Sequence, residues 1–283
     1  MSSSISDSVL ILAGGGTYPA LLAAGARRAG VRRIVVAAVR GMAGRDLARL
    51  ADETVWFGLG ELRRFLEWAG GTGIRDVVLA GQITPVALFR TRFDALAREL
   101  LQSLRAKHAH SIYGEVSRLL TEHGLRVLPS SCFMEDHLPT AGILSARSPD
   151  ARETADIEIG HALARRMSDL DIGQTVVIKD GMVLAVEAFE GSNDAIRRGA
   201  RLGGRGAVVV KVAKAGHDMR FDIPVIGART LPVLRRARIS AISFQAGRTI
   251  LLDRDELLAA ARKWGIAIVA VDSGLPAAPV RPD

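Results

Sequence analysis

The chain has 283 residues of which 48% are hydrophobic, enough apolar material for one large globular domain or two ordinary ones, and this excludes a disordered chain. A single cysteine, Cys132, excludes an internal disulfide and an all-cysteine metal site, and no apolar run reaches the roughly 18 to 20 residues that span a bilayer. The formal charge of +8 favours anionic partners, but the aromatic residues, 5% of the chain, do not interleave with the basic positions, which argues against base stacking on nucleic acid. Much of the arginine, such as Arg27, Arg28, Arg197 and Arg198, falls on helical stretches as a solvated face.

The Ser-rich start lacks the basic-then-apolar order of a signal peptide, so a cytoplasmic protein is expected. Residues 9–12 form a short apolar run that ends in Gly14-Gly15-Gly16 and leads into an Ala/Leu-rich stretch, the pattern of strand, glycine loop and helix. Thr17 stands where an N-cap belongs, and Pro19 falls in the tolerant first turn. Further strands are predicted at 34–38, 77–80 and 125–128, with helices carrying Leu62, Phe65, Leu66 and Ala69 and then Ile112, Val116, Leu119 and Leu120. This alternation predicts an α/β fold whose N-terminal lobe, residues 1–130, is a Rossmann-like parallel sheet with helices.

From 131 to 149 the periodicity fades and Pro, Ser and Gly accumulate, the composition of a linker. A C-terminal mixed α/β lobe, 150–283, then opens with a helix whose apolar face is read as Ala155, Ile159, Leu163 and Met167. Strands at 175–179 and 182–186 are joined by Asp180-Gly181, a strong hairpin signal. Later strands are expected at 207–212, 241–244, 249–252 and 266–271, with helices near 192–202, 230–237 and 255–264.

Four segments can carry chemistry. Gly14, Gly15 and Gly16 allow backbone N–H groups to approach a phosphate at a helix N-terminus, although the loop lacks the Walker lysine and the third glycine of the dinucleotide fingerprint. Gln82, at the carboxyl end of a predicted strand, can hydrogen-bond a base edge or a phosphate oxygen, and Thr84 can cap a helix that Pro85 begins. Glu187 and Glu190 precede a tight turn at Gly191 and a helix starting at Ser192, bringing acids and an anion-accepting helix end together. Lys211 and Lys214 end a buried strand ahead of an acid, Asp222, flanked by apolar residues; phosphoryl transfer needs such cations and such a carboxylate. Each of these also has a plain structural reading as a tight turn, a solvated acid or an ion pair. The six histidines form no metal-ligand spacing.

Read in order, Ala13-Gly14-Gly15-Gly16, Ala80-Gly81-Gln82, Asp171-Ile172-Gly173-Gln174, Glu187-Ala188-Phe189-Glu190-Gly191, Lys211-Val212-Ala213-Lys214 and Arg220-Phe221-Asp222-Ile223-Pro224 resemble the LpxI-type UDP-2,3-diacylglucosamine pyrophosphatases over about residues 8–272. The resemblance implies hydrolysis of UDP-2,3-diacylglucosamine to UMP and 2,3-diacylglucosamine 1-phosphate (lipid X) in lipid A biosynthesis, assisted by Mg²⁺ or alternatively Mn²⁺. It also implies two lobes with substrate held between them and a homodimer, and the net positive charge adds the expectation of loose contact with the inner face of the inner membrane. By the same resemblance Asp222 is the catalytic or metal-organising carboxylate. The residues themselves add Glu190 as a second metal ligand, Lys211 or Lys214 as the charge-stabilising cation, and Gly14, Gly15, Gly16, Gln82, Thr84, Glu187, Gly191 and Ser192 as substrate contacts. The chain departs from the pattern at His108-Ala109-His110 and in carrying Gln245 where an acid is expected. The alternative of another class is a nucleotide-sugar or lipid-phosphate binding protein that closes on its ligand without chemistry.

Overall fold

The computed structural model describes residues 7–83, 87, 91–104, 109–213, 220, 223–227 and 230–272. Backbone proximity divides the chain into two units: the first runs to Glu135 and takes back Arg220, and the second begins at Asp136 and resumes at Ile223.

In the first unit the apolar runs become β1 (Ser8–Ala13), β2 (Arg33–Val39), β3 (Glu53–Phe57), β4 (Asp76–Ala80) and β5 (Arg126–Val127), interleaved with α1 (Tyr18–Arg28), α2 (Leu62–Gly71), α3 (Ala95–Ser103) and α4 (Ala109–Glu122). Every strand pairing is parallel and the order is β3-β2-β1-β4-β5, so the chain winds outward from β1 in both directions. The ends of β1 and β4 therefore lie side by side at the point where the winding reverses, where ligands gather in open α/β sheets. Leu10, Val35, Val77 and Leu79 pack under Phe65, Leu66 and Leu120, with Phe57 edge-on to Phe65 at 5.7 Å between ring centroids. At the far edge Asp76, 2% exposed, takes a two-pronged grip from Arg126 at 2.6 and 2.7 Å, tying β5 to β4.

The second unit holds β6 (Gly142–Ile143), α5 (Ala151–Asp169), β7 (Thr175–Lys179), β8 (Met182–Val186), α6 (Ser192–Gly203), β9 (Val208–Lys211), β10 (Val225–Ile226), α7 (Leu231–Arg236), β11 (Ala241–Gln245), β12 (Ile250–Leu251), α8 (Arg254–Trp264) and β13 (Ala267–Val271). Its main sheet has the order β6-β13-β11-β9-β7-β8, with β13, β11 and β9 parallel and β7, β8 and β6 joined antiparallel. Ile196 of α6, Leu234 of α7 and Leu257 of α8 pack on one face with Val177, Val209 and Phe244, while Ile157 and Ala164 of α5 pack on the other with Val176, Ile178 and Val210. The stretch read as a linker contributes β6, which pairs with β13 at the sheet edge, so part of it is built into this unit. β10 and β12, two residues each, form a small parallel sheet of their own.

The expected apolar face of α5 is corrected in part by the structure: Leu163 and Met167 pack against the core. Ala155 and Ile159 are exposed, and the buried face instead carries Glu153, Asp156, Ile157, Gly160, His161, Ala164 and Ser168. Burying acids costs stability unless each is paired, and each is. Arg147 holds Glu153 at 2.8 and 2.9 Å, and Glu153 closes a capping box with Asp150. Asp156 accepts from the N–H groups of Asp180 and Gly181 at 3.0 and 2.7 Å, and thereby clamps the β7–β8 turn, where both residues have positive φ (52° and 76°). Asp156→Ala is expected to destabilise the protein by about 2 kcal/mol, read as a lower urea midpoint at unchanged slope, because two hydrogen bonds to a carboxylate are lost.

Candidate functional site

In the first unit the glycine loop and the end of β4 bind each other. Gly14 N–H donates to Ala80 O at 2.7 Å, Gly15 N–H to Gln82 O at 2.8 Å, and Gln82 N–H returns to Gly15 O at 2.9 Å. A Cβ on Gly14 would stand 2.7 Å from Gln82 O, closer than side-chain carbons approach, so glycine is required by loop-on-loop packing. The amides of Gly14 and Gly15 are thus committed to the protein, which corrects the expectation that they face a phosphate; Gly16, at φ 97°, turns the chain toward α1. Thr17 occupies the N-cap position, but its side chain makes no capping hydrogen bond. The Gln82 side chain is exposed and open to a ligand. Ser130 Oγ lies 2.6 Å from both Leu79 O and Arg220 O, which ties the backbone of the Arg220 motif to the carboxyl end of β4.

The second unit brings together three residues singled out in the sequence. β9 ends at Lys211, β8 ends one residue before Glu187, and β7, lying between these strands, starts at Thr175. Gly191 turns at φ 84°, a backbone region that favours glycine, and so aims the N-terminus of α6 back at these strand ends. Ser192 Oγ donates to Glu187 Oε2 at 3.0 Å and accepts from Lys211 Nζ at 3.1 Å and Thr175 Oγ1 at 3.0 Å. Glu187 is 8% exposed, and Lys211 Nζ also reaches Val225 O at 3.5 Å. Next along the chain, Ala213 N–H donates to Oε1 of the buried Gln245 at 2.7 Å. The amide at position 245 therefore holds the main chain two residues past Lys211. The result is an ammonium group set beside the positive end of a 12-residue helix, an arrangement that attracts a phosphate oxygen.

Glu190 stands apart from this cluster. Its carboxylate accepts from Arg198 Nη2 at 2.5 Å and from Ala188 N–H at 3.2 Å, and the Arg198 guanidinium holds its pKa below the usual carboxylate value. Among the described residues no three His, Cys, Asp or Glu side chains converge to hold a metal ion. The described carboxylates thus do not by themselves form the expected Mg²⁺ site. Asp222, Lys214, Thr84 and His108 lie outside the described residues. Thr175, at the centre of the cluster, went unread in the sequence; the hairpin turn at Asp180-Gly181 was the signal that places it opposite the end of β8.

Both halves of the chain match known family models. The LpxI N-terminal domain covers residues 8–137 and the LpxI C-terminal domain residues 140–269. A relative from Caulobacter vibrioides, named UDP-2,3-diacylglucosamine pyrophosphatase LpxI, is 31% identical over 273 residues, which is 93% of this chain and 96% of that protein. The chain belongs to the LpxI family. The order of motifs along the sequence had pointed to this family, and the match extends over both units. Among solved structures, the biotin carboxylase domain of the Hydrogenobacter thermophilus 2-oxoglutarate carboxylase covers 71% of this chain and 43% of its own at 12% identity and a TM-score of 0.28, too distant to bear on fold or chemistry. No helix among the described residues is long and apolar enough to cross a membrane.

Proposed function

We propose that this member of the LpxI family hydrolyses the diphosphate bond of UDP-2,3-diacylglucosamine, releasing UMP and 2,3-diacylglucosamine 1-phosphate. The observation that carries the reading is the end-to-end likeness to the Caulobacter LpxI, 31% identical across 96% of that protein. The geometry supplies a reason why such a chain handles a diphosphate. Lys211 and the N-terminus of α6 present positive charge to phosphoryl oxygens, and Ser192 and Glu187 hold that lysine in place.

In the reaction one P–O bond forms from water, the bridging P–O bond breaks, and charge grows on the oxygens around phosphorus. Lys211 offsets that charge, with Lys214 as a second cation and Asp222 orienting the attacking water. Gly16, Gln82 and the main-chain N–H of Ser192 at the N-terminus of α6 contact the substrate. Mg²⁺, or Mn²⁺ in its place, would supply further charge neutralisation with Asp222 and Glu190 as its ligands. Glu190 would first have to leave Arg198. A homodimer on the cytoplasmic side, in loose contact with the membrane surface through the net charge of +8, belongs to the same reading.

The test is UMP release from UDP-2,3-diacylglucosamine with Mg²⁺, and again with EDTA. Turnover is expected, and Asp222→Ala is expected to slow it at least ~100-fold. Saturable substrate binding without any UMP would instead make the chain a binding protein.

A further inference from the structure

Thr175 is fully buried at the first position of β7, and it touches every member of the Lys211 cluster. Its register partner on β9 is Lys211, its carbonyl accepts the N–H of Glu187 at 2.8 Å, and its hydroxyl donates to Ser192 Oγ at 3.0 Å. A serine hydroxyl has one proton and two lone pairs. Ser192 receives Thr175 on one lone pair and Lys211 on the other, so its proton is left for Glu187 Oε2. With both acceptor sites filled the hydroxyl cannot rotate without breaking a bond, and Lys211 keeps a stationary acceptor.

We propose that Thr175 is a positioning residue for diphosphate hydrolysis: through its hydroxyl it locks the Ser192 rotor, and the locked rotor aims the Lys211 ammonium at the substrate. The inference rests on the reading of Lys211 as the cation of the site. Removing the Thr175 hydroxyl frees one lone pair of Ser192, which lets its proton turn away from Glu187 and lets the four-carbon Lys211 stem sample other rotamers. A small misplacement of a charge-stabilising group slows the chemical step more than it weakens binding.

The experiment compares steady-state UMP release by the full-length protein and its Thr175→Val, Thr175→Ser and Lys211→Ala variants. Thr175→Val is expected to lower kcat ~10-fold with KM within about twofold, and Thr175→Ser, which restores the donor, to return kcat to within about twofold of the parent. In a Ser192→Ala background Thr175→Val is expected to have no further effect, because its action passes through that hydroxyl. If Thr175→Val does not fold, Thr175→Cys, a weak donor of similar size, takes its place with the same expectations. Unchanged kcat in the donor-deficient variant, failure of Thr175→Ser to recover, or additive losses with Ser192→Ala would each overturn the proposal. If Lys211→Ala turns over like the parent, the site reading itself has failed; if Lys211→Ala is inactive while Thr175→Val is not slowed, the inference about Thr175 alone falls.

Discussion

Lys211→Met is expected to lower kcat for UMP release by ~100-fold or more while KM rises only a few-fold, because the charge it removes matters most where negative charge grows in the transition state. A factor of 100 corresponds to ~2.7 kcal/mol, the usual size of one lost charge-stabilising donor in a water-poor site. Methionine keeps the unbranched stem, so packing is disturbed little. Ser192 retains its bonds to Thr175 and Glu187, and the fold should survive. Lys211→Arg is expected to recover little, since a planar guanidinium cannot occupy the place of a compact ammonium already fitted between Ser192 Oγ and Val225 O. Steady-state kinetics with melting temperatures as the folding control decide the matter, and a loss of less than about threefold in Lys211→Met would remove this lysine from the mechanism.

Sequence reading found the strands that had no alternative. The runs that became β1, β2 and β4 are buried along nearly their whole length, as parallel strands covered on both faces must be, and Asp180-Gly181 marked the hairpin. It missed β3, whose Glu53-Thr54-Val55-Trp56-Phe57 is only partly buried, and β6 and β10, where two residues are too few to show any period. It misplaced the first half of the core face of α5 because hydropathy treats Glu153, Asp156 and His161 as surface residues, while their partners Arg147, the Asp180-Gly181 turn and Ser243 lie off the helix.

The site shows the same division. Lys211, Glu187 and Ser192 stood out in the sequence because strand ends, a glycine turn and a helix start are local signals. Whether the Gly14 and Gly15 amides were free was not legible, since their acceptors come from the last residue of β4 and the loop after it. Nor was the capture of Glu190 by Arg198, eight residues further along and on the next helix. The local geometry gathers Lys211 with Ser192, Glu187 and Thr175. Glu190, expected as a metal ligand, accepts a hydrogen bond from Arg198.

Between pH 6.5 and 4 the protein is expected to lose ~3 kcal/mol of stability through His161 alone. This imidazole is 3% exposed, its Nε2 is 2.8 Å from Ser243 Oγ, and its Nδ1 has no hydrogen-bond partner among the described residues. Burial, and secondarily the positive charge of Arg165, pushes its pKa down from 6.5 to about 4. The unfolded chain therefore binds a proton in that interval which the folded chain refuses, so the contribution is fully present above the unfolded value and declines as pH falls toward the folded one. Glu153 acts in a lower window. Burial alone would raise its pKa, but the Arg147 and Asp150 hydrogen bonds outweigh burial and hold it at about 2, so its contribution is present above 4.5 and fades only below that. Urea unfolding at pH 7 and pH 5 isolates the histidine: the parent should lose ~2 kcal/mol, whereas His161→Gln, which does not titrate and can still bond Ser243, should lose far less. Parallel losses in the two proteins would mean that His161 titrates normally in the fold, and the polar face of α5 would then have to accommodate a charge that nothing described beside it neutralises.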